Sequence, residues 1–301
     1  MTPTTRPAPA LRPLRGVRVL SLALNLPGPA ALMRLKAMGA TCLKAEPPAP
    51  KGATSGDPMG QYNPKAYATL HDGIKSVAID LKTDKGQAAL HKALARTDLL
   101  LTSFRPSALT KLNLGWKALH KQYPALGVVA IVGAPGARAE EPGHDLTYLA
   151  DAGLVPGLEL PATLFADMGG ALMASEAALK AVMVQRATGK GVFQEVALSD
   201  AATWLALPRC WGLTLPSGAV GGAHAGYRVY PCKDGRVAVA ALEPHFAASL
   251  CEAAGLAVSD MRTLFKPETH AAIAAFLKGM TRKQLDQLSV AKDIPLHTLA
   301  A

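Results

Sequence analysis

The sequence lacks the features of a membrane-spanning or exported protein. None of its apolar runs reaches the roughly 18 residues needed to cross a bilayer, because Asn25, Pro27 and Pro29 interrupt the first candidate. The N-terminal stretch 1–15 is rich in proline and arginine but has no apolar core, so it is not a secretory signal. We therefore expect a soluble protein without a membrane partner, with a disordered tail over residues 1–13.

Cysteine is scarce and unpaired in the sequence. The four cysteines, Cys42, Cys210, Cys232 and Cys251, lie far apart and form no Cys-x-x-Cys pair. This spacing does not match the common zinc-binding or disulfide patterns. It is typical of a reduced, cytoplasmic protein, and we predict no metal site.

Aromatic residues are few, and dense runs of basic charge are missing. The chain carries 32 Lys and Arg against 22 Asp and Glu, a formal charge of +10, but only 5% of its residues are aromatic. The basic residues are scattered, with no run of five, so we predict no nucleic-acid partner. A phosphorylated small ligand and an ordinary basic surface both remain compatible with this charge.

Three common nucleotide and hydrolase motifs are absent. The first predicted strand leads into Leu-Asn-Leu-Pro-Gly-Pro (24–29), which lacks the glycines of the G-x-G-x-x-G dinucleotide motif. The chain contains no P-loop and no G-x-S-x-G nucleophile elbow. These absences disfavour a nicotinamide dehydrogenase, a P-loop NTPase and the commonest α/β hydrolases.

What the sequence does contain is an alternation of short apolar strands and helices. A strand over 17–23, a helix that ends at Gly39 and a strand over 41–46 predict a βαβ unit. Further strands are predicted over 76–81, 98–104 and 126–133, and a long helix follows Asp167. This pattern predicts an α/β fold with a Rossmann-like parallel sheet, in which residues 47–73 form a ligand-facing loop without regular structure.

The last quarter of the chain has a different pattern. Asp234-Gly235 separates two alternating strands, which predicts a β-hairpin, and helical segments follow up to Ser289. We therefore predict a large Rossmann-like domain over 14–198, a helical linker over 199–225 and a small α+β domain over 226–301.

Ionisable residues stand in otherwise apolar surroundings at three places. His144-Asp145 follows the loop after the strand at 126–133, and Glu243 lies before Pro244. Asp167 stands at the start of a long helix, and we expect Gly169 and Gly170 to leave space beside it. Loops at the carboxyl ends of parallel strands are where α/β proteins bind ligands. A purely structural role as a helix cap also fits each of the three places.

One chemistry suits these groups together. Removing a proton from the carbon beside a thioester carbonyl requires a positioned base and donors for the enolate oxygen. Racemisation needs one acid/base group on each face of that carbon. His144 and Asp167 are candidates for this pair, Glu243 is a candidate partner that raises the basicity of His144, and backbone N–H groups near Asp145 or Gly169 are candidate donors.

Taken in order, several segments resemble the α-methylacyl-CoA racemase branch of the class III (CaiB/BaiF-type) CoA-transferase family. The similarity covers roughly residues 14–255. The segments that carry it are LRGVRVLSLALNLPGPAALMRLKAMGATCLKAEPP, SVAIDLKTDKG, DLLLTSFRPSALTKLNLGW, GHDLTYLADAGL, LFADMGGALM, QRATGKGVFQEVALSD and DGRVAVAALEPHF.

The resemblance implies an enzyme of acyl-CoA thioesters. It implies an interlocked homodimer whose active site lies between the large domain of one subunit and the small domain of the other. His144 and Asp167 would be the acid/base groups, and Glu243 would support His144. Coenzyme A would enter only as part of the substrate, with no permanently bound cofactor, and the large domain would hold it.

The matching positions for coenzyme A are Lys44, Lys75, Arg105 and Asp145, although an ordinary surface cation remains an alternative for the three basic residues. Arg105 directly follows a strand, where a guanidinium is well placed to meet a phosphate.

Two alternatives remain at this point. In the transferase branch of the family, the Asp that matches Asp167 is a nucleophile that forms covalent intermediates while CoA passes between carboxylates. A non-catalytic acyl-CoA-binding member is the other alternative. It is motivated by the sparse basic residues in HDGIKS (71–76) and by a chain that ends at Ala301, before the C-terminal segment that normally returns to the large domain.

Overall fold

The structure is a computed structural model that describes residues 11–257 and 260–300. Most of the predicted tail, residues 1–10, lies outside the described residues. The chain folds into two compact units, one up to Ala206 and one over Leu207–Ala301. This boundary lies inside the segment 199–225 that the sequence predicts to be a helical linker.

The first unit is built on a six-stranded parallel sheet. Its strands, in chain order, are β1 (Arg18–Ser21), β2 (Thr41–Glu46), β3 (Lys75–Ala78), β4 (Leu99–Thr102), β5 (Gly127–Val132) and β6 (Phe193–Ala197). Their spatial order is β3-β2-β1-β4-β5-β6, and every neighbouring pair is parallel. This is the doubly wound order, so the predicted Rossmann-like α/β fold is confirmed.

Helices cover both faces of the sheet. In chain order they are α1 (Pro27–Ala37), α2 (Pro58–Tyr62), α3 (Pro64–Leu70), α4 (Asp84–Leu94), α5 (Pro106–Lys111), α6 (Trp116–Gln122), α7 (Asp145–Asp151), α8 (Phe165–Thr188) and α9 (Leu198–Leu205). One apolar core lies between the sheet and helices α1 and α8, and a second lies beneath α4 and α6. The strands β4 and β5 are buried along their whole length, because both faces are covered.

The predicted loop over residues 47–73 contains the short helices α2 and α3, so the expectation of a segment without regular structure was wrong. Asp57 and Asn63 precede these helices, and each side chain accepts a hydrogen bond from a backbone N–H of the first turn. Proline occupies the first helical position in both. Helices of five and seven residues are too short to produce a visible apolar period, but their caps are present in the sequence.

The second unit is a three-stranded antiparallel sheet packed with helices. Its elements are α10 (Leu207–Cys210), β7 (Tyr227–Cys232), β8 (Gly235–Ala240), α11 (Pro244–Ala253), α12 (Pro267–Lys278), α13 (Arg282–Lys292) and β9 (Leu296–Leu299). The predicted hairpin is β7 and β8, and β9 pairs with the other side of β8. The strand β9 was not predicted, because its four residues carry little apolar alternation.

None of the helices in the described parts of the chain is both long enough and apolar enough to span a membrane.

The contact between α1 and the segment that follows β1 gives a test of the packing. Gly28 is buried in the first turn of α1, and a Cβ on it would overlap the Cβ of Ala23. We expect Gly28→Ala to destabilise the protein by about 1–3 kcal/mol, because forced overpacking shifts the backbone. Thermal unfolding measures this, with Gly157→Ala as control, since a Cβ on Gly157 would meet no atom within 4 Å. Equal melting temperatures for the two variants would contradict this account of the packing.

Candidate active site

A cleft of about 520 Å³ opens at the carboxyl edge of the parallel sheet. Loops that follow β1, β4 and β5 form its walls, together with the first turns of α7 and α8. The strand order reverses between β1 and β4, which is where doubly wound proteins bind ligands. Four of the residues predicted from the sequence line this one cleft: Arg105, His144, Asp145 and Asp167.

His144 stands at the N-cap of α7 with an exposed side chain. Its backbone N–H donates to Thr147 Oγ1 at 3.0 Å, and the Thr147 hydroxyl donates to the His144 carbonyl at 2.7 Å. The backbone is therefore fixed, while the imidazole makes no hydrogen bond with the described residues of its own unit. Because the imidazole has no such partner, its nitrogens are available to a substrate.

Asp145 and Asp167 are joined by a hydrogen bond between two helices. Asp145 is buried, and its Oδ1 accepts from the backbone N–H of Asp167 at 3.0 Å. This bond satisfies one of the unpaired donors in the first turn of α8. The N-cap of α8 is Leu164, so Asp167 is not the helix cap that its sequence context allowed. Its carboxylate is left free to face the cleft.

Asp167 has an unusual electrostatic environment. Burial and, to a smaller extent, the nearby Asp145 carboxylate raise the pKa of Asp167 to about 6, although His144 opposes the shift. A carboxyl group with a pKa this close to neutrality can both release and accept a proton at physiological pH. Perturbed groups of this kind in a cleft are typical of catalytic sites.

The two glycines after Asp167 have a packing role. A Cβ on Gly170 would overlap the side chain of Leu198, and one on Gly169 would lie 3.2 Å from Leu205 Cδ1. The expectation that they leave space beside Asp167 is corrected, because α9 fills that space. Their small size lets α8 and α9 approach closely.

Arg105 lies at the rim of the cleft, at the N-cap of α5, with an exposed side chain. Its neighbour Phe104 lines both the cleft and an adjoining apolar pocket of about 240 Å³. Leu22, Ile79 and Leu81 form part of the apolar wall of that pocket, and Lys82 also lines it. The cleft and the pocket therefore meet at the end of β4.

The prediction of Lys44 as a coenzyme A contact requires correction. Its side chain is 0% exposed, and its ammonium group is paired with the Asp57 carboxylate. The same group lies 2.9 Å from His71 Nε2 and 3.6 Å from Glu46 Oε2. A lysine that is fully enclosed and neutralised in this way cannot reach a phosphate.

Lys75 lies away from the cleft. It opens β3 and pairs with Leu43, so it belongs to the amino side of the parallel sheet, whereas the cleft is at the carboxyl edge. It lines a separate pocket of about 620 Å³ together with Arg12 and Lys36. The structure therefore does not bring Lys75 together with the other candidates, and we remove it from the site.

Glu243 belongs to the second unit. It is the N-cap of α11, Pro244 occupies the first helical position, and the exposed carboxylate makes no capping hydrogen bond. The Glu243 side chain therefore does not cap α11. Its role in the site stays a prediction.

Sequence reasoning missed Tyr148 and Tyr62, which also line the cleft. A Cβ on Gly143 would lie 2.6 Å from Tyr148 Cε1, and one on Gly133 would overlap the Tyr148 hydroxyl. The glycines that flank the loop before His144 thus make room for this phenol, and they were the available signal. Tyr62 carries no comparable signal, because it lies in the short helix α2.

Within residues 11–257 and 260–300, no group of three or more His, Cys, Asp and Glu side chains is arranged to hold a metal ion.

Comparison with known protein families shows to which family the chain belongs. The family model described as CoA-transferase family III matches residues 14–300. The chain belongs to CoA-transferase family III. This confirms the family that the ordered sequence segments resemble.

Curated relatives of this family-III chain include both racemases and transferases. It is 29% identical over 266 residues to the alpha-methylacyl-CoA racemases of Mus musculus and Homo sapiens, which covers 82% of this chain and 66% of each of them. It is 31% identical over 220 residues to a probable fatty acyl-CoA transferase, Rv3272, of Mycobacterium tuberculosis, covering 67% of this chain and 54% of that protein. The chain thus spans just under two thirds of the length of the racemases.

The fold of this family-III chain matches solved structures. The crystal structure of the Mycobacterium tuberculosis protein Rv3272 superposes with a TM-score of 0.83 at 25% identity, covering 98% of this chain and 85% of that one.

The environment of Asp167 predicts a pH dependence of stability. Because its pKa is about 6 when folded and near 4 in an unfolded chain, the folded state holds this proton more tightly. Its ionisation therefore costs stability as the pH rises from about 4 through 6. We expect the melting temperature of Asp167→Asn, minus that of the wild type, to increase over this interval.

Asp145→Asn is the matched variant, because it keeps an acceptor for the Asp167 N–H but removes the like charge. When Asp145→Asn is present, the melting-temperature difference between proteins with Asn and Asp at position 167 should develop over a narrower pH range. The reason is that the folded-state pKa of Asp167 moves down, towards its unfolded value. A difference that stays constant between pH 4 and 7 would contradict the raised pKa.

Proposed function

We propose that the protein is an acyl-CoA racemase or epimerase that exchanges the α-proton of a 2-methylacyl-CoA thioester. The observation that carries this proposal is the pairing, in one cleft, of His144 with an Asp167 carboxyl whose pKa is about 6. Family membership and the racemase relatives support it.

In the proposed mechanism, one of the two groups removes the α-proton and the other returns a proton to the opposite face. Neutral His144 and ionised Asp167 act as bases, and their conjugate acids act as donors. Negative charge develops on the thioester oxygen, which requires hydrogen-bond donors. The backbone N–H of Asp145, in the first turn of α7, is the proposed donor, while the Asp145 carboxylate holds Asp167 in position.

The coenzyme A part of the substrate is proposed to lie along the same edge of the sheet. Arg105 would pair with a phosphate, since its guanidinium is exposed at the rim of the cleft. The apolar pocket beside Phe104 suits a flat purine, and Lys82 on its wall offers a second cation to phosphate. In this proposal coenzyme A is held only as part of the thioester, with no permanently bound cofactor.

A cytoplasmic homodimer is part of the proposal. The large domain over 14–198 of one copy would meet the small domain over 226–301 of another, and Glu243 of that second copy would support His144. Exposed apolar side chains on α8 and α9 support a buried interface on this unit; they include Phe165, Met168, Leu172 and Trp204.

A CoA transferase is the second candidate function. It is favoured by the transferase relatives, including succinyl-CoA--D-citramalate CoA-transferase of Chloroflexus aurantiacus, 36% identical over 129 residues. In this case the Asp167 carboxylate would attack the thioester carbonyl carbon, displace CoA thiolate and form a mixed anhydride. The thiolate would then attack the Asp167 carbonyl carbon of the anhydride, which releases the acyl group as a free carboxylate and leaves an Asp167–CoA thioester.

Exchange of the α-proton in D₂O separates the candidates. With 2-methylbutanoyl-CoA as the probe, we expect one deuterium at the α-carbon and no dependence on a free carboxylate acceptor. Asp167→Asn and His144→Ala should each slow exchange by about 100-fold or more, because each removes a proton-transfer group. Asp151→Asn is the control, since this exposed acid at the end of α7 does not line the cleft.

Absence of α-deuterium would contradict the racemase proposal. If CoA then passed to a free carboxylate, with an Asp167 intermediate trapped by hydroxylamine, the transferase would be the correct function. Binding of CoA without either reaction would identify a non-catalytic member of the family.

A further inference from the structure

A buried cluster of charged side chains lies behind the cleft. Lys44, Glu46, Asp57 and His71 are each at most 8% exposed. None of them lines the cleft or takes part in the proposed proton transfer, although Glu46 also lines the apolar pocket beside Phe104. We propose that Asp57 is a positioning residue, which holds two separate segments of the cleft wall in place through one carboxylate.

One oxygen of Asp57 binds both segments. Its Oδ1 accepts from the backbone N–H of Asn25 at 3.0 Å and from that of Met59 at 3.0 Å. Asn25 belongs to the loop after β1 and lines the cleft. Met59 lies in α2, whose last residue, Tyr62, also lines the cleft. A single acceptor thus ties together two parts of the wall that are far apart in sequence.

The other oxygen of Asp57 is held by the sheet. Oδ2 contacts the ammonium group of Lys44, which projects from β2 and is completely buried. His71 Nδ1 faces the Tyr67 carbonyl at 2.7 Å, which places the ring proton there and leaves Nε2 to accept from Lys44. The wall is therefore connected to the rigid sheet through Lys44 and Asp57.

Backbone conformation at Asn25 indicates why an anchor is needed. Its φ of +64° is in the left-handed region, which non-glycine residues adopt rarely and at some cost. The Asp57 acceptor is the contact that fixes the N–H of this residue. The N–H of the preceding Leu24 donates to Ser103 Oγ at 3.2 Å, so Asp57 and Ser103 hold neighbouring residues of this loop.

Stability alone does not account for the ion pair. Replacing a buried ion pair by apolar groups of similar size is often neutral or stabilising, whereas removing one partner is strongly destabilising. What apolar groups cannot replace is the acceptor for Asn25 and Met59. The positioning role therefore predicts that the hydrogen-bond acceptor, and not the charge, is what the cleft requires.

Two double variants separate loss of the charges from loss of the hydrogen-bond acceptor. In neither variant does Lys44 or Asp57 remain as a buried charge without the other. Lys44→Met with Asp57→Asn removes both charges but keeps a side-chain oxygen for the two N–H groups. Lys44→Met with Asp57→Leu removes the charges and the acceptor at nearly the same side-chain size. Melting temperatures are measured for both, so that activity is compared only between folded proteins.

The kinetic arm rests on the proposed function. With 2-methylbutanoyl-CoA in D₂O, the Leu variant should lose roughly tenfold to a hundredfold in kcat for exchange. The reason is that a small displacement of the residues lining a cleft misaligns the substrate with the reacting groups. The Asn variant should recover most of this loss. If wild-type protein gives no exchange, the proposed function fails, but the structural arm still tests Asp57.

The structural arm uses hydrogen–deuterium exchange of the free protein. We expect faster amide exchange in peptides covering residues 24–27 and 58–62 in the Leu variant, but not in the Asn variant. Equal protection of these peptides in both variants would overturn the proposal, and, where the wild type is active, so would equal activity of both variants. A uniform loss of protection over the whole first unit would also overturn it, since that would identify a general structural role.

Discussion

Parallel pairing of the six strands is the constraint on which the candidate site depends. It brings the ends of β1, β4 and β5 to one edge of the sheet, although β1 ends at Ser21 and β5 only at Val132. The cleft forms where the strand order reverses, and the hydrogen bond from Asp167 N to Asp145 Oδ1 then fixes the start of α8 against α7. Each candidate acid/base group in this unit is thus placed by the backbone of an element and not by a flexible loop.

Two carboxyl groups in contact with the same helix turn have different environments. Asp145 is buried, and its carboxylate accepts a backbone N–H. Burial and the neighbouring Asp145 charge raise the pKa of Asp167, so its proton is retained to a higher pH. Different environments let two neighbouring carboxyl groups take different tasks. Here Asp145 positions the start of α8, and Asp167 is the candidate for proton transfer. An Asp167 nucleophile is compatible with the same geometry.

The sequence predicts the parallel sheet well, because buried strands such as β5 are apolar throughout and their helices carry clear ends. It also predicts that Arg105, His144 and Asp167 lie near one another, since loops at the carboxyl ends of strands converge, and the structure brings them into one cleft with Asp145. Lys44 could not be placed in this way. Its partner Asp57 lies thirteen residues away in a segment without periodicity, and burial of a lysine in β2 depends on that non-local contact.

The amino and carboxyl sides of a strand look alike in composition, which explains the error at Lys75. Only the pairing of this residue with Leu43 shows on which side it lies. The two glycines after Asp167 were misinterpreted for a related reason, since the sequence does not show that Leu198 and Leu205 occupy the adjoining space.

A crystal structure of the protein with a non-reactive thioether analogue of 2-methylbutanoyl-CoA would show directly which carbon His144 and Asp167 approach. Two-base proton transfer predicts that an imidazole nitrogen of His144 and a carboxylate oxygen of Asp167 lie about 3–3.5 Å from the α-carbon, on opposite faces. Asp167 directed at the carbon that replaces the thioester carbonyl, with His144 remote from the α-carbon, would contradict two-base proton transfer and favour a covalent transferase.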